Sequence, residues 1–185
     1  MTEFFYIFFR SIKLDKSLYA DNKNFGEASI YYSIIIIFII SIVGTVPASA
    51  LSKLSGNFFA IEGPPLRQII LMSYIVWVIK TAYLYFVGVV MFPSKTTNCN
   101  FRKLLITVAY AHCPFIFYIL ILDISLIYLT FIVYLWYCLT LIVGMKQVLK
   151  YENHLKPAVI SLAPQFVLLI YLLSILSSIE SGTIS

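Results

Sequence analysis

Charge is what this sequence has least of. Asp, Glu, Lys and Arg make up 11% of its 185 residues, against about 25% in an ordinary soluble domain. With 61% hydrophobic residues and a mean hydropathy of +0.94, the composition excludes both a soluble globular domain and a disordered chain. Cysteine is scarce as well. Cys99, Cys113 and Cys138 are odd in number and form no CxxC pair, so neither a disulfide framework nor a zinc site is indicated. Cys113 and Cys138 fall inside apolar runs, where a lone cysteine serves as a small core hydrophobe. There are two histidines, and His154 lies in a polar loop rather than at the depth of His112, a poor fit to the paired axial ligands of a haem. No Ser-His-Asp grouping, paired carboxylates, glycine-rich phosphate loop or HExxH occurs, and no catalysis, cofactor or metal is expected.

What is present is a series of five apolar segments, at about 28–51, 66–92, 103–122, 124–149 and 157–178. Each can cross ~30 Å of hydrocarbon at ~1.5 Å per residue. The expected fold is an all-α membrane protein, a bundle of five transmembrane helices over residues 27–180 behind a segment of residues 1–26. In that first segment Phe4, Phe5, Phe8, Phe9 and Ile12 recur at helical spacing, with Tyr6, Arg10 and Lys13 opposite. The pattern predicts a short helix in the membrane interface. Glu3 and the shortness of the apolar stretch argue against a secretory signal.

Orientation follows from the cations. Arg10, Lys13, Lys16 and Lys23 precede the first span, Lys95, Arg102 and Lys103 follow the second, and Lys146, Lys150 and Lys156 follow the fourth. Only Lys53 and Arg67 fall on the other side. The positive-inside rule then places the N-terminus in the cytoplasm and the C-terminus outside. These cations are dispersed in short loops, which suits lipid headgroups and gives no nucleic-acid stripe. Expected partners are therefore membrane lipids and other membrane helices, including those of a second copy.

Two side chains stand out against the apolar background. Lys80 lies about fourteen residues into the second span, where a lysine costs about 2.5–3.5 kcal/mol on insertion scales. No other span carries an acid at that depth. The ammonium is expected to find bundle carbonyls, Tyr83 or Tyr110, or else a substrate, an ion or an acid on another helix. His112 lies at a similar depth in the third span. Pro114 follows it and frees the carbonyl of Tyr110, so His112 and nearby tyrosines are expected to satisfy that broken turn. Asp123 and Glu62 are read as outer rim charges and Glu152 as an inner one.

The order of features also resembles that of the Yip1 domain family, small five-span membrane proteins of eukaryotes and prokaryotes. The resemblance rests on Asn100-Phe-Arg-Lys-Leu-Leu105 and Ala109-Tyr-Ala-His-Cys-Pro114, which look like the family's basic loop, helix turn, tyrosine, alanine and proline. Leu135-Trp136 and Leu141-Ile-Val-Gly144-Met-Lys-Gln-Val148, then Lys156-Pro-Ala158, are similar to its tryptophan, its glycine with an amphipathic stretch, and its last span. It covers roughly residues 28–178. Eukaryotic members, linked to Rab GTPases and vesicle traffic, carry a longer N-terminal region than the roughly 26 residues here, so the chain resembles prokaryotic-length members. The resemblance implies a non-enzymatic scaffold or organiser acting through helix and lipid contacts. An accessory subunit of a larger membrane complex and a small transporter using Lys80 and His112 are the competing readings.

Overall fold

A computed structural model describes residues 2–20, 22–45, 65–94, 97, 99–121 and 127–165, and the described residues are helical throughout, joined by short turns. Helix α1 spans Thr2–Ile12 and α2 spans Lys16–Ala20, followed by a 3₁₀ turn at Asn22–Phe25. Helix α3 is Glu27–Val43, α4 is Leu66–Tyr85, α5 is Phe101–Ala111 and α6 is Ile127–Leu149. Residues 155–165 form a further helix, α7.

Three helical stretches are long and apolar enough to cross a membrane: Leu66–Met91, Phe101–Leu120 and Tyr128–Leu149. They coincide with the second, third and fourth expected spans. The first expected span is represented by α3, an apolar helix of 17 residues. Its continuation to residue 51, Lys53 and Glu62 lie outside the described residues, as do Lys95, Asp123 and the fifth span beyond residue 165.

The centre of the bundle is α5. Leu104, Ile106, Val108, Ala109, Tyr110 and Ala111 are all fully buried, because α3, α4 and α6 surround this helix and α1 packs against it as well. The helix opens on an N-cap, where the Asn100 side chain accepts from the Lys103 N–H at 2.8 Å. It ends at Pro114, whose ring cannot continue an α-helix. The chain tightens into a 3₁₀ helix at Cys113–Leu120, so the third span is two helical forms in series.

Six hydroxyls in these helices are satisfied locally, whereas those of Tyr110, Thr130 and Ser161 are buried without a partner among the described residues. Ser33, Ser41, Ser73, Thr81, Thr107 and Thr140 each donate to the carbonyl four residues back, at 2.6 to 2.9 Å. Such back-bonding lets a hydroxyl sit in an apolar bundle without an orphan donor. It also keeps side chains small where helices touch. At Gly144 a Cβ would fall 2.8 Å from Thr107 Cγ2 and 3.3 Å from the Tyr19 ring. Three elements, α2, α5 and α6, therefore meet where no side chain stands between them.

One end of the bundle is tied by loop hydroxyls. Thr97 donates to the Leu149 carbonyl at 2.9 Å and Ser94 to that of Lys150 at 3.1 Å, covering acceptors that the end of α6 leaves open. Arg102 donates to the Gly26 carbonyl at 3.2 Å. The starts of α3 and α5 and the end of α6 thus lie at one end, together with the end of α4. There α4 widens into a π-helical turn, Phe86–Met91. The Tyr151 hydroxyl lies 2.8 Å from the carbonyls of both Gly88 and Phe92, and its one proton serves the acceptors that the wider turn exposes.

The N-terminal segment departs from expectation. Ile7, Ser11 and Ile12 of α1 are buried, with Phe4 and Phe8 packed beside them, whereas Phe5, Tyr6 and Phe9 are exposed. The five-residue apolar face read from the sequence is therefore split, and its centre is shifted toward Ile7 and Ser11. The reason is polar. Ser11 donates to the Tyr110 carbonyl at 2.5 Å, and the Trp136 indole donates to the Ile12 carbonyl at 3.0 Å. These bonds set the rotation of α1, with Ile7, Ser11 and Ile12 against the bundle, Phe4 and Phe8 beside them, and Phe5 and Phe9 outward. Tyr110 stands nine residues past Phe101, so Ser11 engages α5 about 13 Å along its axis. In α2, Leu18 and Tyr19 are fully buried.

Candidate functional site

Lys80 reaches from α4 to α6. Its ammonium donates to the Tyr137 hydroxyl and lies 4.5 Å from the centre of the same ring. This corrects the sequence expectation of Tyr83, Tyr110 or a carbonyl as partner. Lys80 itself is half-buried, placed between Trp77, Thr81 and Leu84, which are buried, and Val76 and Ile79, which are exposed. It therefore sits at the edge of the α4 face that turns outward.

Tyr137 is 2% exposed and enclosed by rings. His112 packs on it at 4.8 Å and Phe115 stacks on it at 4.7 Å and 25°, with Tyr134 at 6.0 Å. Tyr118 extends the cluster beyond Phe115 at 5.0 Å. The break at Pro114 makes this possible: tightening the helix after His112 brings His112 and Phe115 onto one phenol.

His112 does not perform the task the sequence suggested. Its Nδ1 stands 2.6 Å from the Val108 carbonyl. A carbonyl only accepts, so Nδ1 carries the proton. The Tyr110 carbonyl that Pro114 frees is instead satisfied by Ser11. Ser11 also lies 3.1 Å from the Tyr19 hydroxyl; with the serine proton committed to the carbonyl, Tyr19 is the donor in that contact. No sequence signal marks Ser11, since any hydroxyl of the right reach would serve. Lys80 and His112 are thus brought together through Tyr137, and no hydrogen bond joins the two among the described residues.

The remaining candidate residues lie apart from this cluster. Arg10 pairs with Asp15 at 2.6 Å, donates to Ser17 and covers the Tyr6 ring at 5.0 Å. Foremost the Arg10 contact, then Ser17, holds the Asp15 carboxyl down at about 2. Lys103 lies 4.8 Å over the Phe25 ring, and Arg102 holds the Gly26 carbonyl. Lys13 and Lys150 are exposed and Lys146 is half-buried. Burial pushes the Cys99 thiol up to about 11, against a smaller opposing effect of Lys103, so this cysteine is a poor nucleophile at neutral pH.

Among the described residues no group of three or more His, Cys, Asp or Glu converges as a metal site would require. The described acids, Glu3, Asp15, Glu27 and Glu152, belong to the N-terminal segment, the first turn of α3 and the α6–α7 turn. None reaches Lys80. What the site offers chemically is a half-buried cation backed by a phenol and an aromatic wall. Comparison of the chain with protein-family models, with curated proteins and with solved structures gives no match.

Proposed function

We propose that the protein is a non-enzymatic, Yip1-type multi-pass membrane protein with five spans, which organises other membrane proteins through lateral helix contacts. The observation that carries this reading is the division of its surface. Long apolar faces turn outward along α4 and α6, including Met72 and Ile79 at 61% and 62% exposed and Tyr128 and Phe131 at 80% and 65%. Within these helices Ser73, Thr81 and Thr140 are back-bonded to their own backbone, and Thr81 and Thr140 are fully buried. A surface of that kind suits lipid and other helices. Among the described residues very little stands outside the bundle to bind a soluble partner.

Charge supports a cytoplasmic N-terminus and an external C-terminus. The end of the bundle that gathers Arg102, Lys103, Lys146 and Lys150 is the basic one, and anionic headgroups are its natural neighbours. A transporter reading has less support, because His112 is occupied by Val108 and forms no bonded relay with Lys80.

Native mass of the protein extracted in mild detergent from its own membrane tests the proposal. An organiser runs as a monomer or dimer, or with sub-stoichiometric companions. A fixed assembly of hundreds of kilodaltons with constant subunits would replace this reading with that of an accessory subunit.

A further inference from the structure

The Lys80 site has more donors than acceptors. An ammonium has three N–H donors, and one of them meets Tyr137. Tyr137 accepts that bond, so its own O–H is a further donor at the site. His112 turns its protonated Nδ1 to Val108, which leaves its unprotonated Nε2 as a neutral acceptor in the ring packed on Tyr137. An ammonium and a phenol that converge with no anion beside them among the described residues are complementary to one.

Depth decides which anion. Lys80 stands eleven residues before Met91 and fourteen after Leu66, or about 16 and 21 Å from the two ends of this span. A phospholipid headgroup or the carboxylate of a fatty acid resides at the interface, too far from this point. A helix side chain can be carried at any depth. A second copy of this chain is unsuited, because a two-fold contact through this face would set Lys80 against Lys80. Along α4 the outward residues Met72, Val76, Ile79, Phe86 and Val90 continue the face above and below Lys80 over several turns. That is the length of a helix contact rather than of a small molecule.

We propose that Lys80, held by Tyr137, receives the mid-span Asp or Glu carboxylate of a partner transmembrane helix lying along α4. Tyr137 is the positioning residue: its hydroxyl and ring hold the ammonium at the helix seam instead of letting it extend toward the headgroups. The inference rests on the lateral-contact reading above and names the chemistry of the partner.

The test uses the purified full chain in phosphatidylcholine vesicles and needs no native partner, so it can fail independently of the native-mass measurement. The probes are three labelled synthetic helices of leucine and alanine that differ at the central residue: Glu, Gln or Leu. Energy transfer should show the Glu helix binding about tenfold more tightly than the Gln helix. Lys80→Met, which removes a costly charge and so should not harm folding, should abolish that preference, whereas Lys80→Arg should keep it. Tyr137→Phe should reduce it. Equal binding of the Glu and Gln helices to the wild type would overturn the proposal. So would a preference that survives Lys80→Met, or a Glu helix displaced by an equal mole fraction of oleate.

Discussion

The hydroxyl of Ser11 stands 2.5 Å from the carbonyl of Tyr110, the acceptor that Pro114 deprives of its helical donor. A residue of the N-terminal helix thereby completes a helix turn in the middle of the bundle. A backbone N–H at the end of α5 also reaches this carbonyl, so Ser11→Ala should cost about 0.5–1.5 kcal/mol, the range for one hydrogen bond. Pro114→Ala restores an N–H at position 114, and in that background the loss of Ser11 should cost measurably less. Thermal unfolding in detergent of the four proteins of this cycle reads the coupling. Strict additivity would show that the two residues do not share the Tyr110 carbonyl.

The two helix-contact glycines should differ. A Cβ at Gly144 meets Thr107 Cγ2, a stiff β-branched methyl, and the wall of Tyr19. A Cβ at Gly88 meets Leu149 Cδ1 at 2.8 Å, the far end of a side chain that can turn aside. Gly144→Ala should destabilise by about 1–3 kcal/mol and Gly88→Ala by clearly less. Thr107→Ser removes the opposing methyl and should recover much of the Gly144→Ala loss in the same unfolding measurement.

Lys150 adopts φ 54°, the left-handed position that closes α6, where the Tyr151 N–H returns to the Lys146 carbonyl at 3.0 Å. Glycine takes that conformation without Cβ strain. Lys150→Gly should stabilise the protein by about 1 kcal/mol, raising its unfolding midpoint. Lys150→Ala should not, which separates backbone conformation from loss of charge.

Asp15 gives the N-terminal segment an acid limit. Its folded carboxyl is held at about 2, by Arg10 first and Ser17 next, below the unfolded value of about 4. Its contribution is therefore complete above about pH 4 and fades as pH falls through 2. The pair is partly exposed, so the whole effect should stay under about 1 kcal/mol. With Trp77→Phe leaving Trp136 as reporter, emission should hold steady from pH 7 to 4 and then shift. An unchanged titration in Asp15→Asn would assign it to another group.

The spans were legible where one pattern dominates. Residues 66–92 and 124–149 are apolar runs long enough that the bilayer requirement alone predicts helices close to those observed. Pro114 announced the break in α5 because the missing N–H is written in the residue itself. What fills the break was not legible, since Ser11 lies 99 residues away and shares no periodicity with it. Lys80 was conspicuous by its charge, but its partner Tyr137 is one of 14 tyrosines, and only the packing of α4, α5 and α6 selects it. On α1 the expected face is met at Phe4, Phe8 and Ile12 but not at Phe5 and Phe9, for a related reason. Hydrophobic spacing favoured the phenylalanines, whereas two hydrogen bonds to the bundle decided the rotation.

Those bonds join residues made at very different times. Tyr110, which Ser11 needs, follows it by 99 residues, and Trp136 follows Ile12 by 124. At ~5–20 residues per second the ribosome takes about 5 to 20 s to bridge the first gap. Through that interval α1 has Ile7, Ser11 and its row of phenylalanines without their final neighbours. The segment synthesised before the bundle can make these two bonds only after α5 and α6 exist, so the final docking of α1 comes late in assembly.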